Sequence, residues 1–109
     1  MGKQNEFLWK MKPQEQEGDY FFNGGSYVTN NVATELTKEE IAQIVGIVFD
    51  YVKQHNGADY LFVFEHQTDQ RKIYVIDQLS KSMMDDPEAY TPEDVKEYNY
   101  FTILYSWEY

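Results

Sequence analysis

Residues 37–77 read TKEEIAQIVGIVFDYVKQHNGADYLFVFEHQTDQRKIYVID. Thr37 stands as a helix N-cap, and Glu40 three residues on completes a capping box. Ile41, Ile44, Val45, Val48 and Val52 recur at helical spacing and make one apolar face. Asn56-Gly57 supplies a stop, because both residues tolerate the left-handed conformation that ends helices. The spacing predicts a helix over about 38–54. Gly46 inside it costs stability relative to alanine, so close packing against a strand is its expected role. Two strands follow. DYLFVFEH, 59–66, is apolar on both faces through Phe64, as a central strand should be, and RKIYVID, 71–77, is similar. The polar QTDQ between them predicts an antiparallel hairpin.

Working outward, the chain ends in YFTILYSWEY, where Phe101, Ile103, Tyr105 and Trp107 alternate with Thr102, Leu104, Ser106 and Glu108. That alternation predicts a strand with one strongly apolar face. Before it, Thr91-Pro92-Glu93-Asp94 reads as an N-cap, a proline at the first helical position and acids suited to the helix dipole, hence a short helix near 92–98. In YFFNGGSYVT, 20–29, Asn23-Gly24-Gly25 signals a hairpin turn; the competing reading is a loop running into one strand at 26–29. Residues 1–19 form a polar arm in which FLWKM, 7–11, is a short strand or an exposed docking segment. The expected architecture is α+β: an antiparallel sheet of about four to five strands, one main helix on one face, a short second helix, and a single domain over 20–109.

Nineteen aromatic residues (ten Tyr, seven Phe, two Trp) supply enough buried area to exclude a disordered acidic chain. With no cysteine, disulfides, thiolate catalysis and zinc–thiolate sites are excluded. No apolar run approaches a membrane span, the N-terminus has no apolar signal core, and Met1-Gly2 is followed by Glu6 where myristoylation wants Ser or Thr. The expected location is the cytoplasm of a bacterial host cell. The net charge is −10; residues 1–12 carry Lys3, Lys10 and Lys12 against Glu6, which leaves −12 on the remainder. Arg71 is the sole arginine. Nucleic-acid binders need clustered Lys and Arg, and acidic membranes attract the same residues, so neither is an expected partner.

Catalytic motifs are missing. His55 near a helix end is expected to meet the last helix carbonyls, and His66 beside a polar turn is expected at the surface. Asp85, Asp86 and Glu88 lack the spacing and glycine of a calcium loop, and Gly24-Gly25 lacks the form of a phosphate loop. No metal, no cofactor and no enzyme activity are expected. What stands out is MMDDPEAYTPEDVKEY, 83–98, with six carboxylates and one lysine. If these acids lie on one side with Glu35, Glu39 and Glu40, they form an extended anionic face that fits a channel of Lys and Arg. Asp85, Asp86, Glu88, Glu93, Asp94 and Glu97 are the candidate partner-binding acids, with Tyr90 and Tyr98 as anchors that stack on arginine or fill small pockets. The plain alternative is a solvated turn and helix cap that keeps a tyrosine-rich chain in solution.

Tyr27-Val28-Thr29-Asn30-Asn31-Val32, Asp59 through Glu65, Tyr74-Val75-Ile76-Asp77, and Thr102-Ile103-Leu104 with Glu108-Tyr109 resemble a small family of unknown function carried by phages, plasmids and integrative elements of Gram-positive bacteria. The resemblance covers about residues 26–109; the acidic stretch at 79–99 and the N-terminal arm depart from it. The chain is also similar to anti-CRISPR proteins that inhibit Cas9. The resemblance implies a non-enzymatic inhibitor that binds Cas9 or its guide-RNA complex through acidic surface and interferes with guide-RNA or DNA binding. The other expectation is a structural or accessory protein-binding module of a mobile element, docking through a sheet edge or the FLWKM arm. A homodimer through an exposed edge is a further possibility.

Overall fold

A computed structural model of the chain describes residues 7–109; Met1, Gly2, Lys3 and Glu6, which entered the reading of the arm, lie outside the described residues. The architecture is a mixed α+β fold built on one five-stranded sheet. Its strands are β1 (Trp9–Met11), β2 (Gly25–Val28), β3 (Leu61–His66), β4 (Lys72–Asp77) and β5 (Tyr100–Tyr105). They lie in the order β1-β3-β4-β5-β2. Four helices join them: α1 (Asn30–Glu35), α2 (Lys38–His55), α3 (Lys81–Met84) and α4 (Pro92–Tyr98), with a 3-10 turn at Ser106–Glu108.

The long helix forms where its pattern demands. Thr37 and Glu40 make the reciprocal capping box, with Glu40 N–H to Thr37 Oγ1 at 3.0 Å and Thr37 N–H to Glu40 Oε1 at 2.9 Å. At the other end Asn56 adopts φ 54° and Gly57 φ 120°, which ends the helix. Ile44, Val48 and Val52 are buried against one face of the sheet, where Phe62, Phe64, Ile73, Val75, Phe101 and Ile103 alternate inward. Trp9, Phe22, Val32, Leu36, Ala58 and Tyr105 complete this core. Gly46 does not make the close contact expected of it: a Cβ there would meet no atom within 4 Å.

β3 and β4 pair antiparallel, as do β4 and β5, with Val63 opposite Tyr74 and Val75 opposite Ile103. β2, however, pairs with β5 in parallel, Tyr27 against Thr102. β2 and β3 therefore run the same way, joined through α1 and α2, with β4 and β5 between them. The hairpin expected at Asn23-Gly24-Gly25 is not formed, and the single-strand reading holds. Neither glycine takes the positive φ that a tight hairpin needs. Gly24 instead permits close approach: a Cβ there would lie 2.0 Å from the Asn99 carbonyl oxygen. The positive φ falls on the residue before, with Phe22 at 51°.

Of the two readings of FLWKM the strand holds, and one further departure comes at Trp107. FLWKM contributes β1, paired with β3, and Trp9 is only 2% exposed. The last strand stops at Tyr105, where the chain turns, so Trp107 lies off the apolar face and is 67% exposed.

Candidate functional site

The sheet has two ends, and carboxylates gather at both. A six-residue strand spans about 17–20 Å, so the two groups are separate. One end carries the last residues of β3 and β5, the first of β1 and the start of α2. The Trp9 indole N–H donates to Glu40 Oε2 at 3.1 Å, and the Tyr105 hydroxyl donates to Glu35 Oε1 at 2.6 Å. Burial, with the Glu35 bond behind it, raises the Tyr105 phenol above its ordinary pKa. Arg71 sits with its guanidinium carbon 5.3 Å from the centre of the Trp9 ring and bonds both carboxylate oxygens of Asp69. Glu108 accepts from Thr29 Oγ1 at 2.9 Å, Asn31 at 3.0 Å and the Tyr105 N–H at 2.8 Å. Burial works against the Glu108 carboxylate, yet these three donors outweigh it and hold its pKa below the usual value.

The histidines divide. His55 Nδ1 lies 2.9 Å from the Tyr51 carbonyl, one helical turn back, as expected of a residue at that position. His66 is not at the surface: its side chain is 6% exposed, packed edge-on to Trp9 at 4.7 Å. The pairing of Trp9 with His66 across β1 and β3 buries it, which a polar turn next door does not reveal.

At the opposite end the connection from β4 to β5 builds an acidic cap. α3 is held to the body by Asp19, whose backbone carbonyl accepts from Lys81 N–H at 2.8 Å and whose side chain accepts from Ser82. The Ser82 hydroxyl is the main cause of the lowered Asp19 pKa. α4 is capped by Thr91 and Asp94 and runs directly into β5. Between α3 and α4 lies a shallow groove lined by Met84, Asp85, Pro87, Tyr90, Pro92 and Val95.

The eight residues picked from sequence are all on this cap, but they do different work. Asp85 ends α3 and pairs with Lys81 at 2.6 Å. Asp86 Oδ1 accepts the Glu88 N–H at 3.0 Å in the turn, and Asp94 closes the α4 capping box. Among the described residues no hydrogen bond or ion pair ends on the carboxylates of Glu88, Glu93 or Glu97, and all three are exposed. Tyr90 is half-buried in the groove, whereas Tyr98 is 46% exposed. Glu35, Glu39 and Glu40 do not join them: the sheet places those acids at the far end, with Glu35 and Glu40 bonded to Tyr105 and Trp9. The single extended face expected from sequence is therefore two groups.

Beneath the cap sits a carboxylate that sequence reading passed over. Asp77, the last residue of β4, is 3% exposed. Its Oδ2 accepts the Phe22 N–H at 2.9 Å and so pins the left-handed Phe22, while Oδ1 has no partner. Burial raises its pKa, opposed by the N–H groups of Phe22, Gln78 and Leu79. Its signal in the sequence was a lone acid closing an apolar strand.

Among the described residues, no group of three or more His, Cys, Asp or Glu is placed to hold a metal ion. No helix there is long and apolar enough to cross a membrane. No protein-family model matches the chain, and neither does any curated protein or solved structure.

Proposed function

We propose that the protein is a non-enzymatic inhibitor of the anti-CRISPR kind, which uses the acidic cap to occupy a basic nucleic-acid channel of Cas9. The observation that carries this reading is the set of Glu88, Glu93 and Glu97, exposed and without a hydrogen-bond or ion-pair partner among the described residues. Acids that close turns and cap helices have a structural reason to be there; Glu88 and Glu97 do not, and Glu93 has only the dipole of α4 to complement. They stand beside Tyr90 and the exposed Tyr98, the aromatic type that stacks on arginine. Cas9 holds guide RNA and heteroduplex in positively charged channels, and carboxylates one helical turn apart compete for the same cations. The resemblance of the strand motifs to proteins of Gram-positive mobile elements supports that choice of target.

The test is Cas9 cleavage of target DNA with the protein added before or after guide RNA. Inhibition only on early addition assigns the block to guide loading; equal inhibition in both orders assigns it to the assembled complex. Replacing Glu88, Glu93 and Glu97 by glutamine should weaken inhibition in either case. No inhibition across Cas9 proteins from several Gram-positive hosts would sink the proposal. The accessory-module reading then gains, in its sheet-edge form. Its arm-docking form would need Trp9, whose indole lies in the core and is bonded to Glu40.

A further inference from the structure

The two edges of the sheet are treated differently. β1 is defended: it has three residues, carries Lys10 with Lys12 just beyond, and stops at Pro13. Lysines and proline are the usual means of keeping a foreign strand from adding to an edge. β2 reads Gly25-Ser26-Tyr27-Val28, with no charge and no proline, and its first three residues are exposed. Gly25 N–H donates to the Asn99 carbonyl and Thr29 N–H to that of Ile103. By strand alternation, Ser26 and Val28 turn their N–H and C=O groups away from β5, towards the open edge. α1, which follows β2, packs on β5, and among the described residues no loop or side-chain hydrogen bond ends on the main chain of Ser26 or Val28.

We infer that the β2 edge is a docking site for an extended, arginine- or lysine-bearing segment of a protein partner, which adds to the sheet as a sixth strand. The inference rests on the proposed basic partner and names the element by which it binds. Main-chain bonds to Ser26 and Val28 would supply the pairing, as in other strand-addition complexes. Charge selects the occupant. β2 starts where α4 ends, so its first residues adjoin the acidic cap and the exposed Glu93 and Glu97. Lys96, and Lys53 in the hollow it shares with Asn23 and Gly24, are the cations at that end, against a net charge of −10 for the chain. Tyr27 is 59% exposed and stands edge-on to Tyr100 at 4.7 Å, so it offers its ring to a cationic side chain on the incoming strand. A second copy fits less well, because each chain carries −10 and would bring the same acids to the seam.

The experiment follows backbone amides by NMR while a blocked peptide of alternating arginine and valine is added. Ser26 and Val28 amides should exchange rapidly in the free protein and become protected with peptide. A peptide of alternating glutamate and valine should leave them unchanged. So should the arginine peptide N-methylated at alternate residues, a probe that leaves the protein itself intact. Ser26→Pro removes one outward N–H and should weaken binding by about fivefold to tenfold, the size of one lost hydrogen bond. The inference is overturned if perturbation is confined to residues 83–98, or if the N-methylated peptide binds equally well. Concentration-dependent protection of the same amides without peptide would overturn it in favour of a second copy. Cas9 inhibition equal in Ser26→Pro and wild type would end the edge proposal and leave the inhibitor reading standing. Peptide protection without Cas9 inhibition would do the reverse.

Discussion

The two ends of the sheet hold similar chemistry and use it in opposite ways. At the Trp9 end, Glu35, Glu40 and Glu108 each accept a hydrogen bond from another element, so their charge is part of how the strands and helices fit. At the cap, Asp85, Asp86 and Asp94 bond within their own turns, Glu93 complements the dipole of α4, and Glu88 and Glu97 bond nothing inside the described molecule. The difference teaches that an acid count says little until each lone pair has been followed to its donor. A carboxylate bonded to buried groups reports on folding; one left in solvent beside a tyrosine is free to report on binding.

Four variants break or sharpen that contrast. Trp9→Ala empties a fully buried site and leaves Glu40 Oε2 without its donor, so a loss of about 3–5 kcal/mol is expected in urea unfolding. A change near zero would mean that β1 is an appendage. Glu108→Ala removes the acceptor shared by Thr29, Asn31 and the Tyr105 N–H, for a loss of about 1.5–3 kcal/mol. Asp77→Asn is read as a pH dependence. The folded pKa is raised, so the native state binds its proton more tightly than the unfolded chain does. Stability from this group is therefore greatest below the ordinary aspartate value and is lost as pH rises through the raised one. Unfolding midpoints of wild type should carry that extra downward slope across this window, and the variant should lack it; parallel curves would show that burial does not perturb the group. Smallest of all, Glu88, Glu93 and Glu97 changed together to Gln should leave stability within about 0.5 kcal/mol. A larger loss would move these acids into the structural class.

The elements read most directly from sequence were those whose signals are local. The α2 capping box, its 3.6-residue apolar period and the Asn56-Gly57 stop all act within a few residues, as do the β3–β4 hairpin and the α4 cap. What escaped depended on contacts far along the chain. Gly24 looked like a turn glycine, but its partner is the Asn99 carbonyl. His66 looked like a surface residue until β1 brought Trp9 across it. α1 is short, with Val32 as its buried residue, and offers too few turns to show a period. The acidic cap was legible as composition, yet the division of its six acids into bonded and free, and their separation from Glu35 and Glu40, required the topology.

That topology also sets a schedule for synthesis. Both edge strands lie within residues 9–28, whereas their neighbours β3 and β5 come later, at 61–66 and 100–105. β1 waits for β3, and β2 waits until residues 100–105 have left the ribosome. The strand that we propose as a docking edge is thus exposed on both sides until β5 is made, and the sheet closes by the long-range pairing that makes folding slow. A protein arranged in this way offers nascent β2 to other chains before it can offer the finished edge to a partner.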